Sequence, residues 1–189
     1  MLDVLLKQTY RDFEILVVDD GSTDATELTV LEYCNSYSFI KYEKQSNQGV
    51  CAARNTGARI ANGKYLIFLD SDDSVEFNWL SDFYDLLKDN NYDVGFCNMK
   101  EINSGHQIKL INASNPYKNQ QKKGKYIAGM FAIERDLFNS IGMYDEKINY
   151  GENTELGIRL RMKEVSMGFV NNYNFSYHRR IYFFHFFHL

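Results

Sequence analysis

Two short apolar runs, "EILVVD" from Glu14 to Asp19 and "KYLIFLD" from Lys64 to Asp70, each finish on an aspartate. Continuous stretches of Val, Ile, Leu and aromatic residues of this length predict strands buried on both faces of a parallel sheet. Between them the spacing predicts a helix over about Asp24 to Tyr37, a strand at Phe39 to Glu43, and a second helix over about Gly49 to Ala61. The alternation β-α-β-α-β predicts an α/β fold, a mostly parallel open sheet with helices on both faces. Downstream, "SVEFNWLSDFYDLLKDNN" reads as an amphipathic helix and "YDVGFCNMKEI" as a strand. A polar, basic loop, "NASNPYKNQQKKGK", surrounds Pro116, the only proline. An apolar stretch "YIAGMFAIERDLF", an acidic turn and the helix "GENTELGIRLRMKEV" complete the pattern, with no internal repeat.

In open α/β sheets ligands gather at the carboxyl ends of the strands. Both acidic clusters fall there: Asp19 and Asp20 after the first strand, and Asp70, Asp72 and Asp73 in "FLDSDD" after the later one. Like charges this close repel, so the second cluster calls for a cation or dense hydrogen bonding. Ser22, Thr23 or Asp24 can cap the helix that follows the first pair, and Asp73 is as good a cap for the "SVEFNWL" segment as a ligand.

With 189 residues, 44% of them hydrophobic and 15% aromatic, the chain is expected to be one globular domain. Its net charge of −4 gives no general attraction for a phosphate backbone, so nucleic acid is not an expected partner. Cys34, Cys51 and Cys97 show no zinc-binding spacing and read as buried thiols of a reducing compartment, which makes the cytoplasm the expected location. No apolar run approaches the ~20 residues of a membrane span. The tail "IYFFHFFHL", Ile181 to Leu189, is suited instead to peripheral docking on the protein or on the inner face of a membrane.

Taken in order, "QTYRDFEILVVDDGSTD", "NQGVCAARNTGARIANGKYLIFLDSDD" and "YDEKINYGENTELGIRL" resemble the family 2 glycosyltransferases of the Rossmann-like GT-A fold. That resemblance implies one domain over residues 1–189, with a nucleotide-sugar-binding half at 1–100 and an acceptor-binding half and tail at 101–189. It implies transfer of a sugar from a nucleotide diphosphate, a UDP-sugar being expected, to a glycan or lipid-linked acceptor in surface or capsular glycan synthesis. Carried over by position, Asp19 or Asp20 would contact the base, Arg54 would lie near the nucleotide, and Asp70 would contact the ribose or the metal. Asp72 would bind the Mg²⁺ or Mn²⁺ that bridges the diphosphate. His178, in "FSYHRR", stands where some relatives complete the metal shell, and its nitrogen suits Mn²⁺. His106, His185 and His188 have no such positional argument. A hard cation of this kind takes one or two protein carboxylates and leaves its other positions to phosphate and water.

Two departures from the family pattern stand out. An inverting transfer needs a base for the acceptor proton, and the usual Glu-Asp pair reads Glu152-Asn153 here. Glu152 is then the first candidate for the base. Glu155 is the second, although four residues before Arg159 it also suits a helical ion pair. In a third account the chain binds donor without transferring it, and Asn153 is only a helix N-cap. Secondly, the chain opens at "MLDVLLKQTY", where relatives already have a strand and a loop behind them. That strand would be internal to the sheet, so its neighbours are expected to lack a ladder partner, as in a fragment, a mis-assigned start or a decaying gene. Two other readings carry less: "ILVVDDG" resembles a phosphoreceiver strand without the later Thr and Lys, and no Gly-rich, Arg-containing entry loop points to a nucleotidyltransferase.

Overall fold

A computed structural model describes residues 1–103, 107–113 and 128–178. His106, the basic loop from residue 114 to 125, and the tail with His185 and His188 lie outside the described residues. In chain order the elements are α1 (Leu2–Leu5), β1 (Ile15–Asp19), α2 (Thr26–Ser36), β2 (Ile40–Lys44), α3 (Val50–Ile60), β3 (Tyr65–Ile67) and β4 (Ser74–Val75). They continue with α4 (Trp79–Leu87), β5 (Val94–Ile102), β6 (Ile108–Ile111), β7 (Phe131–Glu134), α5 (Arg135–Ser140), α6 (Glu152–Met162) and β8 (Met167–His178).

The α/β class is as expected, but the pairings are mixed. β1 and β2 run parallel from Ile15 beside Ile40 to Asp19 beside Lys44. A second sheet has the order β3-β7-β5-β8-β4, with β6 against the far half of β5. Within it only β5 and β8 are parallel. Parallel neighbours need a long crossover, which α2 supplies before β2 and α6 before β8; the short return into β6 forces an antiparallel pair. Nearly every residue of β5 is buried, and because β5 runs across residue 100 one hydrophobic core serves both halves of the chain.

Three details differ from the sequence expectation. Ser74 and Val75 form a strand against Ser176 and Phe175, so the helix starts at Trp79 after Asn78 and Asp73 is not its cap. Asp73 is instead buried ahead of β4. Asn153 is the second residue of α6, whose N-cap is Gly151, so the N-cap role for Asn153 is also corrected. Strand β8 was not expected at all, because "MGFVNNYNFSYH" interrupts its apolar positions with asparagines. Those asparagines are satisfied from the side: Asn172 and Asn174 both donate to Asp82 Oδ2 of α4.

Between β1 and β3 the sheet divides. Among the described residues β1 pairs only with β2 and β3 only with β7. Glu14 fastens the two parts together: its Oε1 accepts from Asn62 N at 2.6 Å and Gly63 N at 3.2 Å, and its Oε2 accepts from Lys41 Nζ at 2.8 Å. Burial alone would raise the pKa of Glu14, but these bonds outweigh it and hold the group at about 2, below its ordinary 4.5. A depressed carboxylate pKa stabilises the fold above the unfolded value, and that stabilisation disappears as pH falls through the folded one.

Glu14→Gln is therefore expected to cost about 2 kcal/mol at pH 7 and almost nothing near pH 2, a difference that urea melts across this range would read. A second expectation concerns Gly129, whose φ is +84° and whose added Cβ would lie 2.2 Å from the Phe175 ring. Gly129→Ala should lower stability by about 2 to 4 kcal/mol, seen as a fall in thermal midpoint, because neither the backbone nor the fully buried ring can give way.

Candidate active site

The turn after β1 is built from its own carboxylates. Asp19 is wholly buried; its Oδ1 accepts from Ser22 N at 2.6 Å and its Oδ2 from the Tyr42 hydroxyl. Burial pushes its pKa up, but the bonds from Tyr42 and Ser22 leave it below the ordinary range. Asp20, 4% exposed, accepts from Gln45 Nε2 and Gln48 N on Oδ1 and from Gly49 N on Oδ2, each at 2.8 Å. Gly21 follows with φ +88°, and a Cβ there would sit 2.9 Å from Asn47 N, so the turn closes on this loop only with glycine. All four oxygens of the pair thus grip protein groups. Their work in the structure is to fix the loop at 45–49, and with it the start of α3.

Arg54 stands one turn into α3. Its side chain is 9% exposed and bridges two acids: NH2 donates to Asp70 Oδ1 at 2.8 Å and NH1 to Glu152 Oε1 at 3.0 Å. The guanidinium also lies 5.4 Å from the centre of the Tyr144 ring. Burial disfavours its charge, but Asp70, Tyr144 and Glu152 more than offset this and raise its pKa further above its ordinary value. Asp70 is partly open to solvent, at 42%, and its Oδ2 carries no bond within the described residues.

Asp72 is half-buried in the turn between Asp70 and β4. His178 is the last residue of β8, whose register with β4 sets Ser74 beside Ser176 and Val75 beside Phe175; its side chain lies outside the described residues. Among the described residues no three His, Cys, Asp or Glu side chains converge as a metal-holding group.

At the start of α6, Glu152 keeps 17% exposure, and its Oε1 takes both Arg54 and the Asn153 amide at 2.7 Å. Glu155 is otherwise employed. Both its oxygens pair with Arg159, at 2.6 Å and 2.7 Å, while Arg159 also donates to the carbonyls of Ile141 and Met143. That fork ties α6 to the loop before it.

The sequence reading missed Tyr144 and Asn55. The Asn55 side chain donates to Tyr144 O at 2.9 Å and accepts from Tyr144 N at 3.0 Å, holding this buried tyrosine by its backbone. The ring packs against Phe68, two residues before Asp70, and against Phe138. An aromatic residue beside the acidic turn "YDEK" was the only advance signal. Cys51, also on α3, is buried, and burial with the nearby Glu152 charge pushes its thiol up to about 11, which leaves it inert.

No helix among the described residues is long and apolar enough to cross a membrane. Over 187 residues the chain is 31% identical to the minor teichoic acid biosynthesis protein GgaA of Bacillus subtilis, a match covering 90% of this chain and 41% of that protein. It is 42% identical over 97 residues to the cholesterol galactosyltransferase of Borreliella burgdorferi, covering 49% of this chain and 27% of that protein. The chain therefore spans less than half the length of these curated relatives. A crystal structure of S. aureus TarS residues 1–349 in complex with UDP superposes with a TM-score of 0.78 at 22% identity, over 95% of this chain and 55% of that one, which establishes the shared fold. The same TarS segment in complex with UDP-GlcNAc superposes equally well, with a TM-score of 0.78. With the model of Glycosyl transferase family 2 matching residues 1–142, three-quarters of its length, the chain belongs to that family.

Proposed function

We propose that this chain transfers a sugar from a nucleotide diphosphate, a UDP-sugar, to an acceptor hydroxyl with inversion, in the synthesis of a cell-surface glycan. The observation that carries the reading is the Arg54 bridge. It holds an acid of the expected donor side, Asp70, and an acid of the expected acceptor side, Glu152, on a single guanidinium. One substrate can then reach both. The relatives fit: TarS has been crystallised with UDP and UDP-GlcNAc, and GgaA is a teichoic acid biosynthesis protein.

A divalent cation suits the residues present. Among the described residues Asp70 Oδ2 carries no protein bond, Asp72 follows in the same turn, and His178 at the end of β8 is the further ligand that the family resemblance implies, a set too small for a dedicated protein cage but right for a cation that shares its shell with phosphate and water. Mg²⁺ or Mn²⁺ bound there would neutralise the diphosphate and make it a better leaving group. The nucleotide binds at the turn that Asp19 and Asp20 organise, with Arg54 near it. Glu152 accepts the acceptor's proton on Oε2, the oxygen without a described partner, as the acceptor oxygen attacks the anomeric carbon and the bond to the diphosphate breaks. Glu155 is spent on Arg159, and Asn153 cannot take a proton. The acceptor, a glycan or a lipid-linked sugar, meets the half of the chain beyond residue 100, with peripheral membrane contact through the tail.

A second reading, donor binding without transfer, is favoured by Asn153 alone. Titration calorimetry with UDP, with and without Mn²⁺, together with turnover of a UDP-sugar panel, separates the two. Mn²⁺ is expected to tighten UDP binding about tenfold or more, and Asp72→Ala to remove that gain. Glu152→Gln is expected to keep UDP affinity within twofold while lowering turnover by about two orders of magnitude. Retention of the Mn²⁺ effect in Asp72→Ala contradicts the cation assignment. UDP binding by the unaltered chain, with neither transfer nor donor hydrolysis, selects the second reading.

A further inference from the structure

Asn153 is not idle. Its amide oxygen accepts from the Tyr144 hydroxyl at 2.7 Å, and its amide nitrogen donates to Glu152 Oε1 at 2.7 Å. The residue is 9% exposed and Tyr144 2% exposed, so the bond between them is buried, while the bond to Glu152 is partly buried. This position needs an acceptor on one side and a donor on the other, which an amide provides and an ionised carboxylate does not. Tyr144 is fixed in turn by the two Asn55 bonds to its backbone and by the Phe68 and Phe138 rings.

The geometry points to Asn153 as a positioning residue for Glu152, with Tyr144 orienting the Asn153 amide. Arg54 and Asn153 together hold Oε1, which restrains the carboxylate and leaves Oε2 without a partner among the described residues. This rests on the reading of Glu152 as the proton acceptor. In the step concerned the acceptor hydroxyl's proton goes to Glu152 Oε2, the acceptor oxygen bonds the anomeric carbon, and the electron pair of the broken bond leaves on the nucleoside diphosphate. The asparagine that departs from the family's Glu-Asp pair is then the part that lets Glu152 do this work. The titratable and charged groups around Glu152 are Arg54 and Cys51 from α3, Tyr144 from the loop before α6, and Asp70 beyond Arg54.

Donor hydrolysis and transfer by the full chain, with UDP-GlcNAc and UDP-galactose as probes, test this in Asn153→Ala, Asn153→Asp, Tyr144→Phe and Glu152→Gln. The expected result is kcat lowered about tenfold or more in Asn153→Ala and severalfold in Tyr144→Phe, with KM and UDP affinity within twofold of the parent. Asn153→Asp should be slower, not faster, at neutral pH, and the acidic limb of its pH profile should move upward, since two carboxylates in contact resist joint ionisation. Parent-like kcat in Asn153→Ala alongside an inactive Glu152→Gln overturns the positioning role and leaves the base in place. An active Glu152→Gln overturns the base itself. Should the parent turn over neither probe, melting midpoints give the answer: the shifts of Tyr144→Phe and Glu152→Gln should be non-additive by about 2 °C or more, and additive in the Asn153→Ala background. Additivity in both backgrounds refutes the relay.

Discussion

A guanidinium enclosed by protein must be neutralised, and the arrangement around Arg54 follows from that requirement. Arg54 meets that requirement with two acids, the half-exposed Asp70 and the more enclosed Glu152. Asp70 and Glu152 are thereby both tied to α3. Residues far apart in the chain, at 54, 70 and 152, are locked into one cluster, and the Tyr144 ring closes it from the side.

The same logic extends outward in both directions. Asp19 and Asp20 spend their charge on the turn and on the loop at 45–49, and so set where α3 starts and where Arg54 lies. Beneath the cluster, Phe68, Phe131, Phe138 and Tyr144 pack ring against ring, joining the end of β3 to β7, α5 and the loop before α6. Truncating a buried ring of this kind costs about 3 to 5 kcal/mol, so the polar cluster stands on a stiff base. Among the described residues Asp70 Oδ2 and Glu152 Oε2 are the oxygens of this cluster that carry no protein bond.

Much of this was legible in the residues. The apolar runs ending in Asp19 and Asp70 and the helices between them come from local patterns, whereas Asp70, Arg54 and Glu152 are singled out by the family resemblance, and the structure brings those three side chains together. What escaped notice depends on partners distant in sequence. Strand β8 hides because Asn172 and Asn174 sit at positions where an apolar residue would mark a strand, and only Asp82, 90 and more residues earlier, explains them. The hydrogen bonds that Asp19 and Asp20 accept from Tyr42, Gln45, Gln48 and Gly49, by which they fix the turn and the loop, could not be read from the acidic pair itself. Glu155 could be read either way from its spacing, and the loop carbonyls shared through Arg159 decide its part. Asn153 reads as a departure from the family pair or as a helix N-cap, and its place between the Tyr144 hydroxyl, nine residues away, and Glu152 depends on the fold.

A crystal structure of the chain with UDP and Mn²⁺ tests the central claim most directly. The account predicts the cation within coordination distance of Asp70 and Asp72, the diphosphate beside it, and Glu152 Oε2 facing the space beyond the outer phosphate while Arg54 still holds Oε1. Nucleotide bound elsewhere, or an Arg54 that has released Glu152 and left it turned to solvent, would contradict it.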